Sequence, residues 1–134
     1  GACAVGARKF LVAYNIYFDS ADVAAARSIA REIRAASGGL KGVKAMGVLV
    51  HGRAQLSMNI TDFETTPISQ VYNTAARLAA RYKVQISDGE IIGLIPEAAC
   101  ERESDWMRQL SRFDPATKVL EQRLKSPLAW PGGA

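Results

Sequence analysis

The run Gly6-Ala7-Arg8-Lys9-Phe10-Leu11-Val12-Ala13-Tyr14-Asn15-Ile16-Tyr17-Phe18-Asp19 constrains the fold more than any other stretch of the chain. A glycine and two adjacent cations open it. Phe10, Val12, Tyr14, Ile16 and Phe18 then share one parity and are all apolar, while Leu11, Ala13, Asn15 and Tyr17 share the other and are mixed. Side chains of a strand alternate between its faces, so the first set belongs in a core and the second on a partly polar surface. A strand over 8–18, this rich in aromatic and branched residues, is predicted to be central and to carry any function on its Asn15 face.

Asp19 or Ser20 is expected to cap a helix over 21–36 whose stripe is Val23, Ala26, Ile29, Ala30 and Ile33, with Gly38-Gly39 ending it. A second strand is expected over 42–50 with Met46, Val48 and Val50 on one face, turned inward. His51-Gly52-Arg53 then makes a hairpin turn into a third strand over 54–61. There Leu56, Met58 and Ile60 point inward and Gln55, Ser57, Asn59 and Thr61 outward. Thr66-Pro67 reads as a helix start with proline at the first helical position. That helix runs to about Tyr82 and buries Val71, Ala75, Leu78, Ala79 and Tyr82. Asp88-Gly89 reads as a turn into a fourth strand, Glu90 to Ile95, stopped by Pro96.

The predicted order is β-α-β-β-α-β, the ferredoxin-like α+β arrangement. Right-handed crossovers place both helices on one face of a four-stranded antiparallel sheet, with strands 1 and 3 as central neighbours. The other face is left with Asn15, Tyr17, Gln55, Ser57, Asn59 and Thr61, and with Leu11 and Leu49 as apolar additions. Short helices are expected over Glu97–Cys100 and Ser104–Arg112, and a last one, capped by Asp114-Pro115, over 115–125. Residues 1–126 read as one domain and 127–134 as a loosely held tail.

With 134 residues, 49% hydrophobic and 22% charged, the chain can bury a sizeable core as one domain. No apolar run reaches the roughly 18 residues of a membrane span, and no basic stretch followed by an apolar one marks a signal peptide. The expectation is therefore a cytoplasmic protein without a membrane, or a chain cut from a longer one, since it lacks an initial Met and enters a strand almost at once. The net charge of +4 suits acidic partners or is simply a solvated surface; Arg27, Arg31 and Arg34 fall on the polar side of a predicted helix. Cys3 and Cys100 are isolated thiols and form neither a disulfide framework nor a metal site.

No complete catalytic constellation is present. A single histidine, His51, sits at a predicted hairpin tip and reads as a surface residue, and a metal cluster built on histidines is ruled out. No nucleophile elbow, phosphate-binding loop or dinucleotide fingerprint is found. Asp62 and Glu64 read as solvated loop acids, and Glu90, at a strand start, as a lone carboxylate. Arg8 and Lys9 could bind a carboxylate, the arginine by its bidentate fork, or mark an ordinary charged strand start. Asn15 and Asn59 come from the two central strands and are expected on one side, where buried amides would need partners from a docked domain or a ligand.

Several of these stretches, in this order, resemble one family. Gly6 through Ile16 is similar to the GARKFLIAFNIN segment of the glutamate formiminotransferases. The likeness continues through Gly42-Val43-Lys44-Ala45-Met46-Gly47 and Ala54-Gln55-Leu56-Ser57-Met58-Asn59-Ile60-Thr61-Asp62-Phe63. It resumes at Val71-Tyr72 and at Glu90-Ile91-Ile92-Gly93-Leu94-Ile95-Pro96, and so covers roughly residues 1–100. The resemblance implies transfer of a formimino group from formiminoglutamate to tetrahydrofolate, a co-substrate, in histidine degradation, without a metal. It further implies two subdomains with folate between them, of which this chain matches the second, and a homodimer in the complete enzyme. The catalytic histidine would belong to the N-terminal subdomain, so this chain would hold no catalytic residue and be inactive alone. Gly1, Gly6, Arg8, Lys9, Asn15, Asn59 and Glu90 would border folate or substrate.

Two other functions suit the same fold: a sheet that binds single-stranded RNA, and a regulatory domain that senses an amino acid. The first expects stacking aromatics on strand 3. Gln55, Ser57, Asn59 and Thr61 are not that, and nucleic acid is not an expected partner.

Overall fold

The computed structural model describes residues 10–125. The elements are β1 (Val12–Phe18), α1 (Val23–Ile33), β2 (Val43–Val50), β3 (Arg53–Ile60), α2 (Ile68–Arg81) and β4 (Ile86–Ile92). Three short helices follow: α3 (Asp105–Arg108), α4 (Pro115–Lys118) and α5 (Leu120–Lys125). The sheet order is β2-β3-β1-β4 and every pairing is antiparallel. This is the predicted ferredoxin-like arrangement, with β1 and β3 at the centre and both long helices over one face.

The parity of β1 decides which face. Val12, Tyr14, Ile16 and Phe18 are fully buried, and so are Leu56 and Ile60 of β3. Ala25, Ala26, Ile29, Ala30 and Ile33 of α1 and Ile68, Val71, Ala75, Leu78 and Ala79 of α2 close on them. Phe10, expected in this core, is 37% exposed, because pairing with β3 begins only at Val12, opposite Ile60. Asp22, not Asp19 or Ser20, caps α1: its carboxylate accepts the Ala25 N–H at 3.0 Å. Asp19 and Ser20 instead tie the loop, accepting the N–H groups of Gln85 and Asp22. The helix expected to reach residue 36 ends at Ile33 and gives way to a 3₁₀ turn, Ala35–Ser37.

The inward face of β2 is the opposite of the expected one. Val43, Ala45, Gly47 and Leu49 pair with Ile60, Met58, Leu56 and Ala54, the helix-facing residues of β3, so Met46, Val48 and Val50 lie on the open face. Met46 is 59% exposed. Leu49, expected on the open face, takes the helix side of the sheet. The physical reason lies at Gly47, where a Cβ would come within 2.4 Å of the Arg27 nitrogen and 2.5 Å of the Ala26 carbonyl carbon. The backbone of α1 rests directly on β2 at this point, and a side chain is excluded at position 47 of the inward row. The hairpin turns on His51 and Gly52, both at positive φ (50° and 78°), as the mirror-image two-residue turns require.

Pro67 stands just before α2, not at its first residue, and Thr66 does not cap it: its hydroxyl donates to the Lys41 carbonyl at 2.7 Å. The cap comes from a distant residue. The Glu101 carboxylate accepts the Ser69 N–H (2.8 Å), the Ser69 hydroxyl (2.6 Å) and the Trp106 indole N–H (3.0 Å). A carboxylate at a helix N-terminus satisfies free N–H groups and suits the helix dipole. Trp106, 1% exposed, packs edge-on to Tyr14 at 5.5 Å.

Asp88-Gly89 is not a turn. It lies inside β4, and the chain turns earlier, at Lys83 with φ 61°. Gly89 packs closely there: a Cβ would stand 3.3 Å from the Tyr14 ring and 3.5 Å from Leu110, so that the ring would have to shift slightly. Beyond β4 the expected continuous helix over 115–125 is broken at Val119, which is buried and pairs with Ile95. Leu124 is 63% exposed. The breaks let the C-terminal segment cover the edge of β4. Gly89 donates to the Gln109 carbonyl and accepts from Ser111 N–H, Ile95 donates to the Lys118 carbonyl and accepts from Leu120 N–H, and the Lys118 ammonium donates to the Ile91 carbonyl. The tail expected over 127–134 lies outside the described residues.

The Tyr14 hydroxyl is fully buried without a hydrogen-bond partner among the described residues, and burial holds it well above the ordinary tyrosine range. An unpaired buried hydroxyl costs free energy. Tyr14→Phe is therefore expected to leave stability unchanged or raise it by up to about 1 kcal/mol in urea unfolding. A clear loss would reveal a buried water bonded to the hydroxyl.

Candidate functional site

The sheet face opposite α1 and α2 is covered by no described helix, and the strand register places three rows across it. Met46, Ser57, Asn15 and Glu90 form the middle row. Val48, Gln55, Tyr17 and Asp88 lie on one side of it, and Lys44, Asn59, Ala13 and Ile92 on the other. Asn15 and Glu90 are thus direct cross-strand neighbours. Asn59 shares their face, as predicted, but is exposed and one row away.

Two amides dominate the interior of this face. Asn15 is 9% and Gln55 5% exposed, and neither side chain makes a hydrogen bond to a described residue. Their amide atoms keep access to solvent, which leaves their hydrogen bonds open to a group seated on this face. Apolar surface surrounds them, since Met46, Ile92 (49% exposed) and Leu11 (47%) remain open to solvent.

Next to them stands a charged network. β4 carries a bulge: Tyr17 pairs with Asp88 but Phe18 with Ile86, leaving Ser87 as the extra residue. The bulge brings Ser87 and Asp88 to Arg53. The guanidinium bonds to Asp88 at 2.8 Å, to the Ser87 hydroxyl and to the Phe18 carbonyl, and lies 5.1 Å above the Tyr17 ring. The Tyr17 hydroxyl donates to Oε1 of Glu90 at 3.1 Å. Burial, and then the Glu90 carboxylate beside it, raise the Tyr17 hydroxyl above the ordinary tyrosine range, against the opposing Arg53 charge. At neutral pH Tyr17 is therefore a proton donor to Glu90 and not a base.

Of the residues predicted for the site, the structure brings Asn15 and Glu90 together and leaves Asn59 at the margin. Gly1, Gly6, Arg8 and Lys9 lie outside the described residues, as does Cys3. Tyr17 and Arg53 were not foreseen as site residues. Tyr17 shares the Asn15 parity and was within reach of that pattern, whereas Arg53 meets Asp88 only through the bulge. His51 is exposed in its hairpin. Cys100 is half-buried, and that burial pushes its thiol up, the opposite of an activated nucleophile. Among the described residues no three His, Cys, Asp or Glu side chains are grouped to hold a metal ion, and no helix is long and apolar enough to cross a membrane.

The formiminotransferase domain model matches residues 13–116, which include all of the sheet but Val12. The chain belongs to this family. Within it, the chain is 37% identical over 127 residues to the glutamate formimidoyltransferase of Thermoplasma acidophilum and 38% identical over 126 residues to that of Streptococcus pyogenes. These alignments cover 93% and 92% of this chain and 42% of each relative. The formimidoyltransferase-cyclodeaminase of Gallus gallus is 37% identical over 106 residues, 74% of this chain and 20% of the relative. The chain thus spans about two-fifths of the length of the single-function formiminotransferases it matches, and less of the cyclodeaminase fusion.

Proposed function

We propose that this chain is the second subdomain of a glutamate formimidoyltransferase, and that its open sheet face helps bind formimidoylglutamate and tetrahydrofolate for transfer of the formimidoyl group. The observation that carries this is the pair of amides, Asn15 and Gln55, which make no hydrogen bond to a described residue and keep their polar atoms open to solvent, beside the Tyr17–Glu90 bond on a face that no described helix covers. Such a face calls for a cover with polar groups of its own, and a ligand held against an N-terminal subdomain supplies one. The fit of the family model over this sheet supports the reading. Single-stranded RNA is less well served, since Tyr17, the one aromatic side chain of the strands on this face, already lies under Arg53.

The described residues offer shape, hydrogen bonds and charge, which orient substrates, but no general base with a positioned partner. Proton transfer typically contributes about 10²–10⁴-fold and needs a titratable group within hydrogen-bond reach. In this reading a histidine of the N-terminal subdomain supplies it. By itself the chain is therefore expected to unfold cooperatively, to bind folate weakly or not at all, and to give no formimidoyl transfer. The assay is transfer from formimidoylglutamate to tetrahydrofolate with and without the matching N-terminal half. Activity restored by that half, reduced by Arg8→Ala with Lys9→Ala and by Asn59→Ala, is the expected result. Robust turnover by this chain alone would overturn the subdomain reading.

A further inference from the structure

Glu90 stands out on the open face for what it leaves unused. Asp88 and Glu90 are the only acidic residues in the four strands, and both lie on this face. Asp88 is already neutralised by Arg53 at 2.8 Å. Glu90 accepts one neutral hydrogen bond, from Tyr17 to Oε1, and no described cation pairs with it. Its Oε2 takes no bond from a described residue. An ionised carboxylate offers about four lone-pair sites, so Glu90 retains most of its capacity. Its cross-strand neighbour is Asn15, whose amide is likewise unspent.

The geometry points to a specific ligand group. A formimidoyl group on nitrogen is an amidine. Its protonated form is a planar cation with N–H donors on both nitrogens, chemically close to guanidinium. Carboxylates bind such planar donors through parallel, charge-assisted hydrogen bonds. We propose that Glu90 reads the positive charge of the formimidoyl donor, and that Tyr17 is a positioning residue that holds the carboxylate toward it. Arg53, stacked on the Tyr17 ring and tied to Asp88, fixes the ring. It also removes the competing acid from the face. This assignment rests on the transferase reading above and adds to it the group that distinguishes an amidine from the corresponding amide.

The test uses the complete transferase assembled from this chain and its N-terminal half, with N-formimidoylglutamate as substrate and N-formylglutamate, the neutral oxygen counterpart, as competitive probe. Glu90→Gln is expected to raise the KM for formimidoylglutamate about tenfold or more, with kcat within about twofold, and to leave inhibition by formylglutamate unchanged. Tyr17→Phe is expected to raise the same KM about threefold, and to add nothing in the Glu90→Gln background. A purely structural role for Tyr17 would persist in that background. Both variants should melt with the parent, since neither side chain is in the core.

An active parent whose Glu90→Gln variant keeps its KM, or loses affinity for both ligands alike, would overturn the proposal and leave the transferase reading standing. A parental complex with no formimidoyl transfer would overturn the transferase reading and the proposal with it.

Discussion

Val12→Asp is expected to abolish the folded domain, while Ala13→Asp, one residue along the same strand, leaves it folded. Val12, the first residue of β1, is fully buried opposite Ile60 on the helix-facing side of the sheet. No cation reaches that layer to pair with a carboxylate. An unpaired charge there costs on the order of 4 kcal/mol or more, a large share of the roughly 5–15 kcal/mol that holds a domain of this kind together. Ala13 points to the open face and is only partly buried, so its substitution leaves the charge in reach of water. Circular dichroism melts of the two variants make the comparison. Equal melting would mean that the alternation of β1 does not set the two faces of the sheet.

Gly47→Val is expected to lower the melting temperature by about 10 °C or more, whereas Met46→Val, its neighbour on the open face, changes it little. The atoms that a Cβ at residue 47 would meet, at 2.4 and 2.5 Å, belong to the backbone of α1 and cannot rotate aside. The helix must lift from β2, and overpacking of this kind costs about 1–3 kcal/mol, sometimes more. Met46 is 59% exposed and carries no such constraint. A Gly47→Val protein that melts with the parent would show that α1 does not sit on β2 at this point.

The candidate face is partly legible in the sequence. Asn15 and Glu90 stood out as polar residues on apolar strands, and the register brings them side by side. Gln55 was read as outward-facing, but its near-complete enclosure comes from neighbours on two other strands. The Arg53 network could not be read at all. It depends on a bulge at Ser87 and on contact between residues 35 apart in sequence, and neither periodicity nor spacing encodes those.

By itself the sequence determined the element order, the helix-facing parity of β1 and β3, the apolar stripes of both long helices, and from these the ferredoxin-like topology. These are local quantities: side-chain alternation and helical periodicity are written into consecutive residues. Tertiary structure decided the rest. In strand β2 the parity points Met46, Val48 and Val50 inward, yet the close approach of α1 leaves no room for a side chain at position 47, and the row that contains Gly47 faces the helices. Asp88-Gly89 has the composition of a turn, but the pair lies in β4, opposite Tyr17 and Ile16 of β1, with Gly89 packed closely on the Tyr14 ring. Glu101 caps α2 from 32 residues away. In each case the deciding contact joins residues distant in the chain, where the volume and polarity of a neighbour override local preference.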